Sequence, residues 1–110
     1  MANAFLRMTQ SAIGVTPTTI DAYTVGASTE TTLIGLTVAN ILTSAITVDV
    51  MLNDGATDFY IVKNAPIPAG GTLVAVGGDQ KVVMETSDLI KVVSNTAASA
   101  DVIMSLLEIT

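Results

Sequence analysis

Residues 46–52 read Ile-Thr-Val-Asp-Val-Met-Leu. Ile46, Val48, Val50 and Leu52 fall on one side of a two-residue period, and Thr47, Asp49 and Met51 on the other. Successive side chains of an extended strand point to opposite faces, so this pattern predicts a strand buried on one side. The segment before it behaves alike, with Ile34, Leu36 and Val38 alternating with Gly35, Thr37 and Ala39. Turn residues punctuate the rest. Asn53-Asp54-Gly55 predicts a hairpin between 46–52 and 59–64. Pro66, Pro68 and Ala69-Gly70-Gly71 make 65–71 a loop, and Gly77-Gly78-Asp79 predicts a second hairpin between 72–76 and 81–85. Thr86-Ser87-Asp88 precedes 89–94, and the small polar run 95–100 leads into 101–109.

Strands are therefore expected near 3–8, 20–25, 31–40, 45–53, 59–64, 72–77, 81–86, 89–94 and 101–109. The last segment is apolar enough to suit a helix, but it is short and rich in β-branched residues, which favour a strand. Ser11 to Thr19 reads as loop, and residues 1–19 as an extended N-terminal arm. Regular spacing with turns between implies an all-β chain: a single antiparallel β-sandwich, jelly-roll-like, of about eight or nine short strands spanning 1–110.

Composition changes what the surface of that sandwich must look like. Half of the 110 residues are apolar and 13% are charged, against about 25% charged in ordinary soluble domains. Mean hydropathy is +0.65. A domain this small leaves about a third of its unfolded-chain surface exposed. With 16 threonines and few charges, much of that surface is Thr, Ser, Ala and aliphatic. Such a surface suits contact with other subunits better than solitary life in water. Segment 31–40 carries no charge after Glu30, so it is central or covered. Lys63, Lys81 and Lys91 are candidate guards of free edges.

The titratable residues exclude most chemistry. There is no His and no Cys, which removes the usual general base, the thiolate nucleophile and the commonest zinc ligands. Arg7, Lys63, Lys81 and Lys91 are scattered and the net charge is −6; nucleic acid needs clustered cations, so no nucleic-acid partner is expected. No apolar run reaches membrane-spanning length, and the N-terminus lacks the basic start and apolar core of a secretory leader. Asp49, Asn53, Asp54 and Asp58 surround a glycine turn but lack the spacing and closing Glu of a calcium loop. Glu85 and Asp88 flank a turn, with no cleft expected to tune a carboxylate pair. Both glycine pairs precede strands and lack the Lys-Ser/Thr of a phosphate loop. No catalytic residue, metal or cofactor is expected.

Four aromatic residues remain: Phe5, Tyr23, Phe59 and Tyr60. Phe59 and Tyr60 are adjacent, so one is expected in the core and the other outside as an anchor. Met51 lies on the polar side of its strand as an adaptable contact residue. With Leu36 and Val38 of the uncharged strand, Met51, Phe59 and Tyr60 are the candidate interface residues.

The run Ala65-Pro66-Ile67-Pro68-Ala69-Gly70-Gly71-Thr72-Leu73 is followed by Gly77-Gly78-Asp79-Gln80-Lys81-Val82-Val83-Met84-Glu85. Together with Leu36-Thr37-Val38-Ala39-Asn40 and the ending Val102-Ile103-Met104-Ser105-Leu106-Leu107-Glu108-Ile109, this resembles small virion structural proteins of tailed bacteriophages, including phages of cyanobacteria and marine bacteria. The resemblance runs from about residue 20 to 109 and brings no active site. It implies a non-enzymatic β-sandwich subunit located in the virion and assembled in the host cytoplasm. The expected role is an oligomeric decoration or cement protein, a trimer, that binds the major capsid protein. The acidic charge would steer it towards basic patches on that partner. Neck, tail or fibre components are the alternative, and a glycan- or receptor-binding module is a further one.

Overall fold

The computed structural model describes residues 3–110. Met1 and Ala2, with which the leaderless reading of the N-terminus begins, lie outside the described residues. The elements are β1 (Asn3–Ile13), β2 (Thr18–Thr24), β3 (Glu30–Asn40), β4 (Ile46–Asn53), β5 (Asp58–Ile67), β6 (Thr72–Val76), β7 (Val82–Met84), β8 (Leu89–Ser94) and β9 (Ala100–Ile109). All are strands, paired antiparallel in two sheets. The first sheet runs β1-β9-β3-β6, with β7 also on β3; the second runs β2-β8-β4-β5.

This order is that of a rolled-up hairpin. Its tip is β4–β5, and outward from the tip come β3 with β6 and β7, β2 with β8, and β1 with β9. Folding that ribbon sends partner pairs alternately to two facing sheets, which is a jelly roll. The tip forms as the sequence predicts. Asn53 pairs with Asp58, the Asp54 N–H donates to the Thr57 carbonyl at 3.2 Å, and Gly55 takes a φ of 99° that a side chain would oppose.

The core fills the space between the sheets. Leu33, Leu36 and Val38 of β3 and Val102, Met104 and Leu106 of β9 meet Ile46, Val48 and Val50 of β4 and Ile90 and Val92 of β8. These are the inward positions of each period, apart from one shift. The β3–β9 register slips between Leu33 and Gly35, so Leu33 and Leu36 both point inward and Ile34 is only half-buried. The strict alternation from Ile34 is corrected by that bulge. Tyr23 of β2 ties the sheets together. Its hydroxyl donates to Glu108 Oε2 at 2.8 Å and lies 2.8 Å from Thr31 Oγ1. Burial, more than the carboxylate, holds its pKa above the ordinary tyrosine value.

Five further expectations change. The turn at 77–81 is not a hairpin: β6 and β7 follow one another along the same edge of β3, so the chain leaves that track and rejoins it. The strand expected at 81–86 is reduced to Val82–Met84. Residues 65–67, expected as loop, complete β5. The stretch 11–19 is mostly strand, because β1 runs to Ile13 and β2 starts at Thr18. Its pattern is broken by a bulge in which Ala12 takes a φ of 55°. There the Ala12 N–H is accepted by Asp101 Oδ1 at 3.1 Å. Residues 3–13, expected as part of an arm, are a sheet strand on β9.

Candidate functional site

The acidic turn is occupied by its own backbone. Asp54 Oδ1 accepts the N–H groups of Thr57 at 2.8 Å and Ala56 at 3.1 Å. Asn53 Oδ1 accepts the Gly55 N–H, and its amide donates to Asp58 Oδ1 at 2.7 Å. Lys91 Nζ stands 3.0 Å from the same Asp58 oxygen, and Asp49 Oδ1 accepts the Asn64 N–H at 2.7 Å. Backbone hydrogen bonds depress the Asp54 pKa, and the Asn53 amide followed by Lys91 depresses that of Asp58. Among the described residues no group of three acidic side chains is arranged to hold a metal ion.

Glu85 and Asp88 sit at the same end of the molecule. With Ser28, Thr29, Glu30, Asp54 and Thr86 they line a depression of about 620 Å³. Asp88 Oδ2 accepts the Glu85 N–H at 2.8 Å, so this pair shapes the β7–β8 turn.

The sheets present unlike outer faces. On the second sheet, Asp49, Asn53, Asp58, Lys63 and Lys91 gather around Tyr60. Lys91 pairs with Asp58, Lys63 stands 4.0 Å from Asp49, and the Lys63 ammonium lies 4.5 Å from the Tyr60 ring centre. Within this group both cations are matched to carboxylates.

The first sheet is apolar. Backbone register aligns Phe5, Leu107, Thr32 and Val83 in one row across β1, β9, β3 and β7. A second row aligns Thr9, Ile103, Thr37 and Val74 across β1, β9, β3 and β6. Between them lie Arg7, Ser105 and Gly35. Phe5, Val74, Val83 and Ile103 are all more than half exposed. From strand spacing and rise, the two rows define a patch about 14 Å across and about 13 Å along the strands. Arg7 is the one charged side chain within it. An apolar patch of this kind, unbroken by paired charges, is what a subunit contact needs.

The five interface candidates divide. Leu36 and Val38 are fully buried on the inward side of β3, and Met51 is 3% exposed. None of these three is a surface contact. Met51 does lie on the outer side of β4, but its register neighbours are Tyr60 and Lys91, whose long side chains flank and cover it. Phe59 and Tyr60 are both about half exposed. The expectation that one lies in the core fails because β5 is an edge strand whose register shifts opposite Val50 and Met51. Lys63 stands on the β5 edge as expected; Lys91 does not guard an edge, since β8 lies between β2 and β4. The residues missed by the sequence reading are Phe5, Val74, Val83 and Ile103. For Ile103 the signal is the alternation of Val102, Met104 and Leu106 with Ile103, Ser105 and Leu107, hidden because both sides are largely apolar.

No protein-family model matches the sequence, and no curated protein matches it significantly. Among solved structures the chain is similar to a protein of Bacillus endospore appendages, described as a family of disulfide-linked pili. The TM-score is 0.57 at 15% identity, covering 99% of this chain and 87% of that one. The likeness is one of fold: two antiparallel sheets packed as a sandwich. The disulfide linkage has no counterpart in these 110 residues, which contain no cysteine.

Proposed function

We propose that this chain is a non-enzymatic structural subunit that works by burying the outer face of its first sheet against copies of itself and neighbouring subunits. The observation that carries the reading is the pair of rows holding Phe5, Val74, Val83 and Ile103. Each large side chain there leaves water on assembly, at about 1.5–3 kcal/mol for full burial. The threonines between them add β-branched contact surface without a charge to desolvate.

The finer assignment is to a tailed-phage virion, as a decoration or cement subunit on the major capsid protein, with neck, tail or fibre as the alternative placement. The resemblance carried by 65–73, 77–85 and the last strand supports it. A second reading, a subunit of a surface appendage, is favoured by the fold shared with the endospore pilus protein.

Light scattering and negative-stain microscopy of the purified chain test these readings together. Discrete small oligomers are expected for a decorating subunit, and filaments for an appendage. In either case, changing Val74→Glu and Val83→Glu together should abolish association through this face while leaving the circular dichroism spectrum unchanged. A chain that stays monomeric at high concentration overturns both.

A further inference from the structure

Among the described residues the jelly roll leaves four free edges: β1 and β6–β7 in the first sheet, β2 and β5 in the second. A free edge offers unpaired N–H and C=O groups to any extended strand, and proteins blunt such edges with bulges, prolines, charges or brevity. Three of these edges are blunted. β2 holds Asp21 and Ala22 at φ values of 52° and 51° and loses register between Thr19 and Thr24. β5 carries Lys63 and Pro66, holds Asn64 at a φ of 52°, and shifts register twice against β4. β6 and β7 are five and three residues long, separated by the 77–81 turn.

β1 is different. From Asn3 to Gln10 it keeps an unbroken register with β9, without proline or positive φ. Arg7 is the one charge in that stretch. Two of its side chains also lack company. Phe5 is 80% exposed. Arg7 is the one basic residue with no ion pair or hydrogen bond among the described residues; Lys63 and Lys91 have carboxylates and Lys81 bonds the Gly78 carbonyl.

We propose that a second copy of this chain pairs with β1, antiparallel, about a two-fold axis through Leu6, joining the two first sheets into one. The register follows from strand geometry. Directly opposed residues share a face, so a two-fold axis must pass through a residue position. An axis at Arg7 sets two guanidinium groups opposite each other, which is repulsive. An axis at Phe5 opposes only residues 3–7. An axis at Leu6 opposes residues 3–9 and sets each Phe5 beside the other copy's Arg7. Ala4 then faces Met8, and Asn3 faces Thr9. Both Phe5–Arg7 pairs lie on the outer face, where each cation meets an aromatic ring. The inference rests on the reading of the chain as a self-associating subunit. It adds that the joint is closed and two-fold, in place of the trimer expected from the resemblance.

The absence of cysteine makes the test clean, since each engineered thiol is the sole one. Under mild oxidation Leu6→Cys should give a disulfide dimer on a non-reducing gel. Opposed Cα atoms in an antiparallel pair lie about 4.5–5.5 Å apart, within disulfide reach. Phe5→Cys and Arg7→Cys, each opposed to a different position, should cross-link several-fold less. A second arm exchanges charge and leaves Leu6 in place. Phe5→Lys alone faces an ammonium with the other copy's guanidinium and should weaken the pair about tenfold. Adding Arg7→Glu to the same chain should restore the pairing, measured by sedimentation equilibrium. Equal cross-linking at all three positions, or no effect of Phe5→Lys, overturns the β1 joint. If association then survives these changes and is lost in the Val74→Glu, Val83→Glu variant, self-association stands and the joint lies elsewhere.

Discussion

Asn40 shows how much one polar side chain can hold. It ends β3, is 3% exposed, and sits where the chain crosses from one sheet to the other. Its amide nitrogen reaches the carbonyls of Ser44 at 2.8 Å and of Ile67 and Pro68 at 3.1 Å. Its oxygen accepts the Leu42 N–H at 2.9 Å. One side chain thus fastens the β3–β4 loop to the β5–β6 crossing. Asn40→Ala strands buried carbonyls and should lower stability by about 2–3 kcal/mol, read from urea unfolding. Asn40→Asp should be worse at neutral pH, because a carboxylate would face carbonyl oxygens. Part of that loss should return as the pH falls and the new carboxyl takes up a proton. An unchanged urea midpoint in both variants would refute this account.

Within the strands, the ladders hold irregular backbone in place at a few positions. Asn64 of β5 keeps a φ of 52°, and its N–H is held by Asp49 of β4. Asn tolerates this conformation better than most residues, and a β-branched side chain resists it. Asn64→Gly should therefore be close to neutral, while Asn64→Val should cost about 1–2 kcal/mol in thermal or urea unfolding. Equal effects of the two would remove the backbone argument. The hairpin tip makes a second expectation. The carboxyls of Asp54 and Asp58 are depressed in the folded chain by the bonds they accept. Their stabilisation is thus present above the unfolded value of about 3.9 and is lost as pH falls through the lower folded value. Melting temperature should drop over that acid range, and Asp54→Ala should flatten the drop. The two cases mark where the sequence is legible. The alternation of 46–52 and the turn at 53–55 are local, and both form as read. Bulges at Ala12, at Ile34 and opposite Met51 shift side chains by one position and leave no local mark. The 77–81 excursion carries hairpin residues, yet β3 captures the strand on either side. Leu36 and Val38 read as interface candidates because an uncharged strand is either central or covered by a partner; β3 is the central case, between β9 and β6.

For the whole molecule, the two outer faces allow homotypic and heterotypic assembly to be told apart by salt. Each copy carries a net charge of −6, so two copies repel as they approach. The contact face of the first sheet holds Arg7 as its one charge, so little attraction is available for salt to screen. Raising ionic strength shortens the reach of the repulsion, from about 30 Å at 0.01 M to about 8 Å at 0.15 M. It also leaves apolar burial intact or stronger. Self-association should therefore tighten between these conditions. A basic partner surface gives the opposite sign: attraction to the acidic chain speeds the encounter and weakens as salt is added. The second sheet should contribute little to either trend, because Lys63 and Lys91 are already matched to Asp49 and Asp58. Sedimentation equilibrium across a sodium chloride series reads the homotypic term, and the same series with a basic partner protein reads the heterotypic one. Self-association that weakens with salt would show that paired charges, and not the rows of Phe5, Val74, Val83 and Ile103, hold the copies together.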